Sequence, residues 1–152
     1  MDQWPASPAA VKSFVLCADE KTDMFEWKPE YSVHIPAIDV QHQRLFNLAG
    51  ELNSAMKQGQ GKAVLEQSLA RLVDYTKVHF ASEEELMVRH KYPQLDAHKA
   101  QHVQLTTQVL DFQNRFRSGE ALLTVELMEF LKNWLEHHII GSDQLYSAHI
   151  RG

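Results

Sequence analysis

The dipeptide Tyr92-Pro93 separates two pairs of residues at helical spacing, and no other feature constrains the fold as much. His79 and Glu83 are four residues apart, as are His98 and His102. On a helix, that spacing stacks two side chains on one face, one turn apart. Pro93 lacks an amide hydrogen and disfavours helical backbone at Tyr92, so the pairs belong to different helices. Two neighbouring helices can therefore offer four ligands to one place. With nine histidines in 152 residues, an isolated pair carries little weight. The rest of the chain decides.

At 44% hydrophobic content, 152 residues suit one domain with a core that needs no staples. The net charge of -5 provides no basic surface for nucleic acid and no polybasic run for an anionic membrane. A single cysteine, Cys17, excludes an intrachain disulfide framework and any cysteine-based zinc or iron–sulfur site. The apolar run at 13–18 is too short for a signal-peptide core. No segment approaches the ~18 apolar residues of a membrane span. The expected location is the cytoplasm.

Residues 1–26 show no periodicity and read as an irregular N-terminal arm. Over residues 25–36, Trp27, Pro29, Tyr31 and Pro36 suggest an extended segment pinned by its rings. The remainder, residues 27–150, forms one domain. After Pro36, Ile38, His42, Leu45, Ala49, Leu52 and Met56 make one buried helical stripe, ended by Gly59 and Gly61. A second stripe runs Leu65, Leu69, Leu72, Thr76, His79, Glu83, Leu86 and fails near Arg89. A third starts at or soon after Pro93 and carries His98, His102, Leu105, Val109, Phe112 and Phe116 up to Gly119. The fourth, from about Ala121, aligns Leu127, Leu131, Trp134 and His138, with His137 pointing about 100° away. The tail after Asp143 reads as a last irregular turn.

Short links between four helices favour an all-α, antiparallel up-down-up-down bundle. That topology brings His42, His79, Glu83, His98, His102, His138 and Asp143 to one end. Five histidines and two carboxylates facing inward at one level need a cation to offset their desolvation, which a purely polar core network would lack. Seven ligands exceed a structural zinc site, and imidazole with carboxylate but no thiolate suits iron, manganese or zinc in a two-metal centre. If both carboxylates and a hydroxide bridge two six-coordinate ions, five histidines leave one position vacant for a small ligand.

The pattern Trp27, Tyr31-Ser32-Val33, Ile35, Ile38-Asp39, Gln41-His42, Leu45-Phe46, His79-Phe80, Glu83-Glu84, Met87, Tyr92-Pro93, His98, His102, Trp134-Leu135, His138-Ile139 and Asp143 closely resembles the hemerythrins, in particular the bacterial single-domain kind. The resemblance runs from about Phe25 to Tyr146 and lacks no ligand position. It implies two non-heme iron ions bridged by carboxylates and an oxo or hydroxo group. His98, His102 and His138 would hold one iron and His42 and His79 the other, with Glu83 and Asp143 bridging. It also implies reversible O2 binding, as a carrier or store. Leu45, Phe80, Trp134 and Leu135 lie one turn from ligands and are expected to wall an O2 pocket.

Asp143 follows His138 by five residues, about 140° round an ideal helix, so both reach one site only if the backbone loosens, with Gly141 as the expected place. His90 lies about 10 Å along the axis from Glu83, too far for the same pair of ions. His34, His137 and His149 have no partner at ligand spacing, and Glu84 and Glu85 are expected to be solvated. A ferritin-like oxidase needs Glu-x-x-His motifs, of which the sequence has none. Two alternatives stay open: a sensor acting through the N-terminal arm, and a peroxidase or nitric-oxide-reducing enzyme on the same centre.

Overall fold

The structure, a computed structural model, describes residues 24–122 and 125–152. Among these residues every regular element is helical. A short 3-10 turn at Pro29–Tyr31 leads into α1 (Pro36–Lys57), followed by α2 (Lys62–Arg89), α3 (Leu95–Arg117) and α4 (Val125–His137). A six-residue π-helical turn, His138–Asp143, then joins α4 to α5 (Gln144–Arg151). α1 packs on α2, α2 on α3, and α1 on α4, which makes the four long helices an up-down-up-down bundle.

Local chemistry explains where the helices start and stop. Pro36 opens α1 at the position where a missing amide hydrogen costs nothing. Asp39, in the same first turn, accepts hydrogen bonds from Ser32 Oγ at 2.6 Å and Val33 N at 2.8 Å, tying down the segment ahead of the helix. The amide of Gly59 (φ +72°) bonds to Met56 O at 3.1 Å and that of Gln60 to Ala55 O at 3.1 Å, a Schellman end. α3 ends the same way at Gly119 (φ +86°), with Glu120 N bonded to Arg115 O at 2.8 Å. α2 repeats the motif with Lys91 (φ 55°) in the left-handed position and Tyr92 N on Met87 O at 3.0 Å. Pro93 follows, so the helix stops as its sequence implies.

The first stripe is buried along its whole length, and Leu69, Leu72, His79 and Glu83 are buried on α2. Along α2 the core changes character. Leu69, Leu72 and Val73 belong to a large apolar cluster with Phe46, Leu52, Phe116, Met128 and Leu131. His79 and Glu83 come next, and Met87 then joins Tyr92 and Tyr146 in a small second cluster. The polar layer is thus sealed by apolar packing above and below.

Two expectations need correction. The tail is not an irregular turn but the helix α5, which buries Tyr146 and Ser147. Its Ser147 hydroxyl donates to Val33 O, and Gln144 Nε2 donates to Ser32 O at 2.8 Å, so α5 holds the segment before α1. Ala121 and Leu122 also lie outside any helix, and α4 is helical from Val125. The rings of residues 25–36 are pinned as expected: Trp27 packs edge-on to Tyr31 and Phe46 with centroids 5.5 and 5.8 Å away. Phe25 is buried. Most of the N-terminal arm, with Cys17, lies outside the described residues. None of the described helices is long and apolar enough to cross a membrane.

Candidate metal centre

Each ligand candidate owes its position to a helix face. His42 comes from α1, His79 and Glu83 from one face of α2, His98 and His102 from one face of α3, and His138 and Asp143 from the π turn. All seven are buried. The π turn solves the spacing of the last two: its i→i+5 repeat makes room for one more residue per turn than an α-helix, so His138 and Asp143 face the same way. Gly141 sits in this turn without positive φ, and a Cβ there would meet nothing within 4 Å. It eases the turn through its low helix propensity and not through space.

The two carboxylates divide their oxygens. Glu83 Oε2 lies 3.2 Å from His42 Nε2 and 3.1 Å from His79 Nε2, and Asp143 Oδ2 lies 3.0 Å from His42 Nε2. Glu83 Oε1 lies 3.1 Å from His102 Nε2, and Asp143 Oδ1 lies 3.1 Å from His98 Nε2 and 3.2 Å from His138 Nε2. Two groups of potential ligands result, Glu83, His98, His102, His138 and Asp143 in one and His42, His79, Glu83 and Asp143 in the other. They share only the carboxylates.

These residues fit a pair of cations better than they fit one another. Glu83 Oε1, His98 Nε2 and both oxygens of Asp143 are buried without a hydrogen-bond partner. Such orphaned groups are costly and call for an explanation, an ion being one. His102 Nε2 and His138 Nε2 face each other at 3.2 Å, close to the roughly 3 Å between neighbouring nitrogens that each bond a common ion at about 2.1 Å. In the absence of metal, protons must take the cation's place. Burial opposes a charge on His42, but the adjacent carboxylates of Asp143 and Glu83 outweigh it and raise its pKa to about 9; His98 behaves alike, also reaching about 9. Burial likewise favours neutral Glu83 and Asp143, and the surrounding imidazoles overcome it, holding both carboxyls below their usual range.

Around the centre, the contacts of three residues were not foreseen in the sequence. Tyr146 donates from its hydroxyl to Glu83 Oε2 at 2.9 Å, entirely within the interior. Gln41 Oε1 lies 2.6 Å from His79 Nδ1, and its Nε2 donates to Ser82 Oγ at 3.1 Å. Glu84, expected to be solvated, instead sits 2.8 Å from His102 Nδ1 with 27% of its side chain exposed. Glu85 is exposed as expected. His34, His90, His137 and His149 are exposed, and none belongs to either ligand group.

The four pocket candidates, Leu45, Phe80, Trp134 and Leu135, line one cavity together with Ala49, Leu72, Thr76, Leu105, Val109 and Leu131. Phe80 stacks on His102 at 3.7 Å and Trp134 on His138 at 4.3 Å between ring centroids, so the cavity abuts the ligands. Its free interior is about 30 Å³, more than the roughly 10–15 Å³ one water needs. Thr76, its one hydroxyl, donates to Leu72 O at 2.8 Å and leaves the wall apolar.

Residues 33–150 match the family model described as the hemerythrin HHE cation binding domain. The chain belongs to the hemerythrin family. Among its relatives, a bacteriohemerythrin of Stenotrophomonas maltophilia is 36% identical over 125 residues, covering 82% of this chain and 80% of the relative. One from Methylococcus capsulatus is 33% identical, covering 77% and 88%. A myohemerythrin of Theromyzon tessulatum is 27% identical over 85% of this chain and 96% of its own. A crystal structure of wild-type hemerythrin superposes with a TM-score of 0.77 at 30% identity, covering 83% of this chain and 97% of that one. The buried His/Glu/Asp cluster, able to hold cations, thus lies within a hemerythrin fold.

Proposed function

We propose that the chain binds O2 reversibly at a non-heme di-iron centre, as a carrier or store and not as a catalyst. His98, His102 and His138 would hold one iron, His42 and His79 the other, and Glu83 and Asp143 would serve both. The observation that carries this reading is the division of each carboxylate between two histidine groups beside an apolar cavity. When bound, such a centre would supply two electrons to O2.

The residues of the chain do the rest. Leu45, Phe80, Trp134 and Leu135 exclude water from the side where a gas molecule enters. Among the described residues, none that lines the cavity is titratable, and Thr76 has committed its hydroxyl hydrogen to the backbone. Tyr146 holds a proton on Glu83 Oε2 and keeps it, because burial first and the charges of Glu83 and Asp143 next push its pKa up. A site without a free proton donor favours return of O2 over its reduction. We place the protein in the cytoplasm, with O2 as its small-molecule partner.

The test is optical and manometric. Iron-loaded, reduced protein under argon should gain visible absorption when O2 enters, take up one O2 per chain, and lose the absorption when O2 is withdrawn. Continuous O2 consumption in the presence of excess reductant would overturn the carrier reading in favour of an enzyme.

A further inference from the structure

Gln41 and Glu84 share one arrangement and differ in charge. Each directly follows or precedes a ligand candidate in sequence, and each reaches across to the histidine of the next helix: Gln41 from α1 to His79 on α2, Glu84 from α2 to His102 on α3. With Nε2 of either histidine turned to the centre, at 3.1 Å from a Glu83 oxygen, Nδ1 carries the proton and donates outward. His79 donates to a neutral amide whose orientation is fixed by Ser82. His102 donates to a carboxylate. His42 Nδ1, in the same group as His79, is buried with no partner.

The partner of the outer nitrogen sets how strongly the inner one donates. A carboxylate behind an imidazole draws the Nδ1 proton towards itself and raises the basicity of Nε2, while an amide does so far less. The two ligand groups therefore differ beyond their histidine count: one is backed by negative charge, the other by a dipole and an unpartnered edge.

We propose that Glu84 and Gln41 are positioning residues that make the two halves of the centre unequal, so that the half around His102 binds its cation first and holds it more tightly. This rests on the ligand assignment proposed above. Glu84 sets the strength of the first step through its charge, and Gln41 keeps the second step weak.

Cobalt(II) titrated into the metal-free full chain, followed by calorimetry and by its visible absorption, tests this without reference to O2. Wild-type protein should bind two ions in two resolved steps. Glu84→Gln, which retains a hydrogen-bond acceptor but removes the charge, should weaken the tighter step roughly 10- to 100-fold and leave the other within a small factor. Gln41→Glu should tighten the weaker step and narrow the gap. Circular dichroism of the metal-free variants checks that the fold persists. If wild-type protein bound no cobalt, the ligand assignment itself would fall and this inference with it. If it bound two ions but Glu84→Gln matched wild type, or weakened both steps alike, the assignment would stand and the inequality would be overturned.

Discussion

At the scale of single residues, the site depends on side chains whose partners come from other helices. Leu135 is buried, lines the cavity and stands one turn before His138. Leu135→Ala should admit water and speed autoxidation of the oxygenated protein several-fold, measured as decay of its visible absorption, with iron content unchanged. An unaltered rate would remove the cavity wall from the proposed function. The same truncation should cost about 2–4 kcal/mol of stability. Tyr31 and Glu136 give a second, metal-independent test. The Tyr31 hydroxyl donates to Glu136 Oε2 at 2.5 Å, across 105 residues of sequence. Burial works to raise the Glu136 pKa, but the bonds from Tyr31 and Lys132 outweigh it and leave it below 4.5. A lowered carboxyl pKa stabilises the fold above the unfolded-state value and loses that contribution as pH falls through the folded-state value. Tyr31→Phe should therefore destabilise the protein by about 1 kcal/mol near neutrality, and denaturant melts should show the difference shrinking below pH 4.5.

At the scale of helices, the ends and the π turn decide where ligands sit. Lys91 occupies the left-handed position of a Schellman end where α1 and α3 have glycine. Lys91→Gly relieves a strain of roughly 1–2 kcal/mol, partly offset by the greater freedom of glycine in the unfolded chain. A rise in melting temperature corresponding to about 0.5–1 kcal/mol is expected, and a fall would mean that the Lys91 side chain contributes more than its backbone costs. The four long helices were legible in the sequence because their stripes repeat at three and four residues and end in glycine or proline. His42, His79, Glu83, His98, His102 and His138 were legible for the same reason, each lying on a stripe. Asp143 broke the period, and it was the topology, which brings the end of the fourth helix to the ligand end, that placed it; the π turn is the backbone feature that the mismatch of five residues implied. Gln41, Glu84 and Tyr146 were invisible as parts of the site because they act sideways. Gln41 and Glu84 point about 100° away from the ligand next to them, towards a neighbouring helix whose position no periodicity reveals. Tyr146 was hidden by the reading of its segment as irregular, since eight residues are too few to establish a helical pattern.

At the scale of the whole molecule, cation binding and folding are one equilibrium. Metal-free, the site pairs its carboxylates with protons on His42 and His98, whose pKa values are raised to about 9. A histidine pKa raised in the fold contributes stability below about 6.5, its value in the unfolded chain, and loses it as pH climbs through the folded value of about 9. The metal-free protein should thus melt progressively lower as pH rises from 7 to 10. The loaded protein has exchanged those protons for metal and should not follow, so the gap between the two melting curves should widen over this range. At free metal a hundred times the dissociation constant, the loaded form gains about 3 kcal/mol, and loading at pH 7 should release protons to the medium. A constant gap, or metal uptake without proton release, would detach the histidines from the cation. The measurement that bears most directly on the proposed seven-ligand centre is the iron content of purified, iron-loaded protein set beside that of Asp143→Ala. Two irons per wild-type chain, with loss of at least one in the variant, is the expected result; one iron or none in the wild type, or two in both, would contradict it.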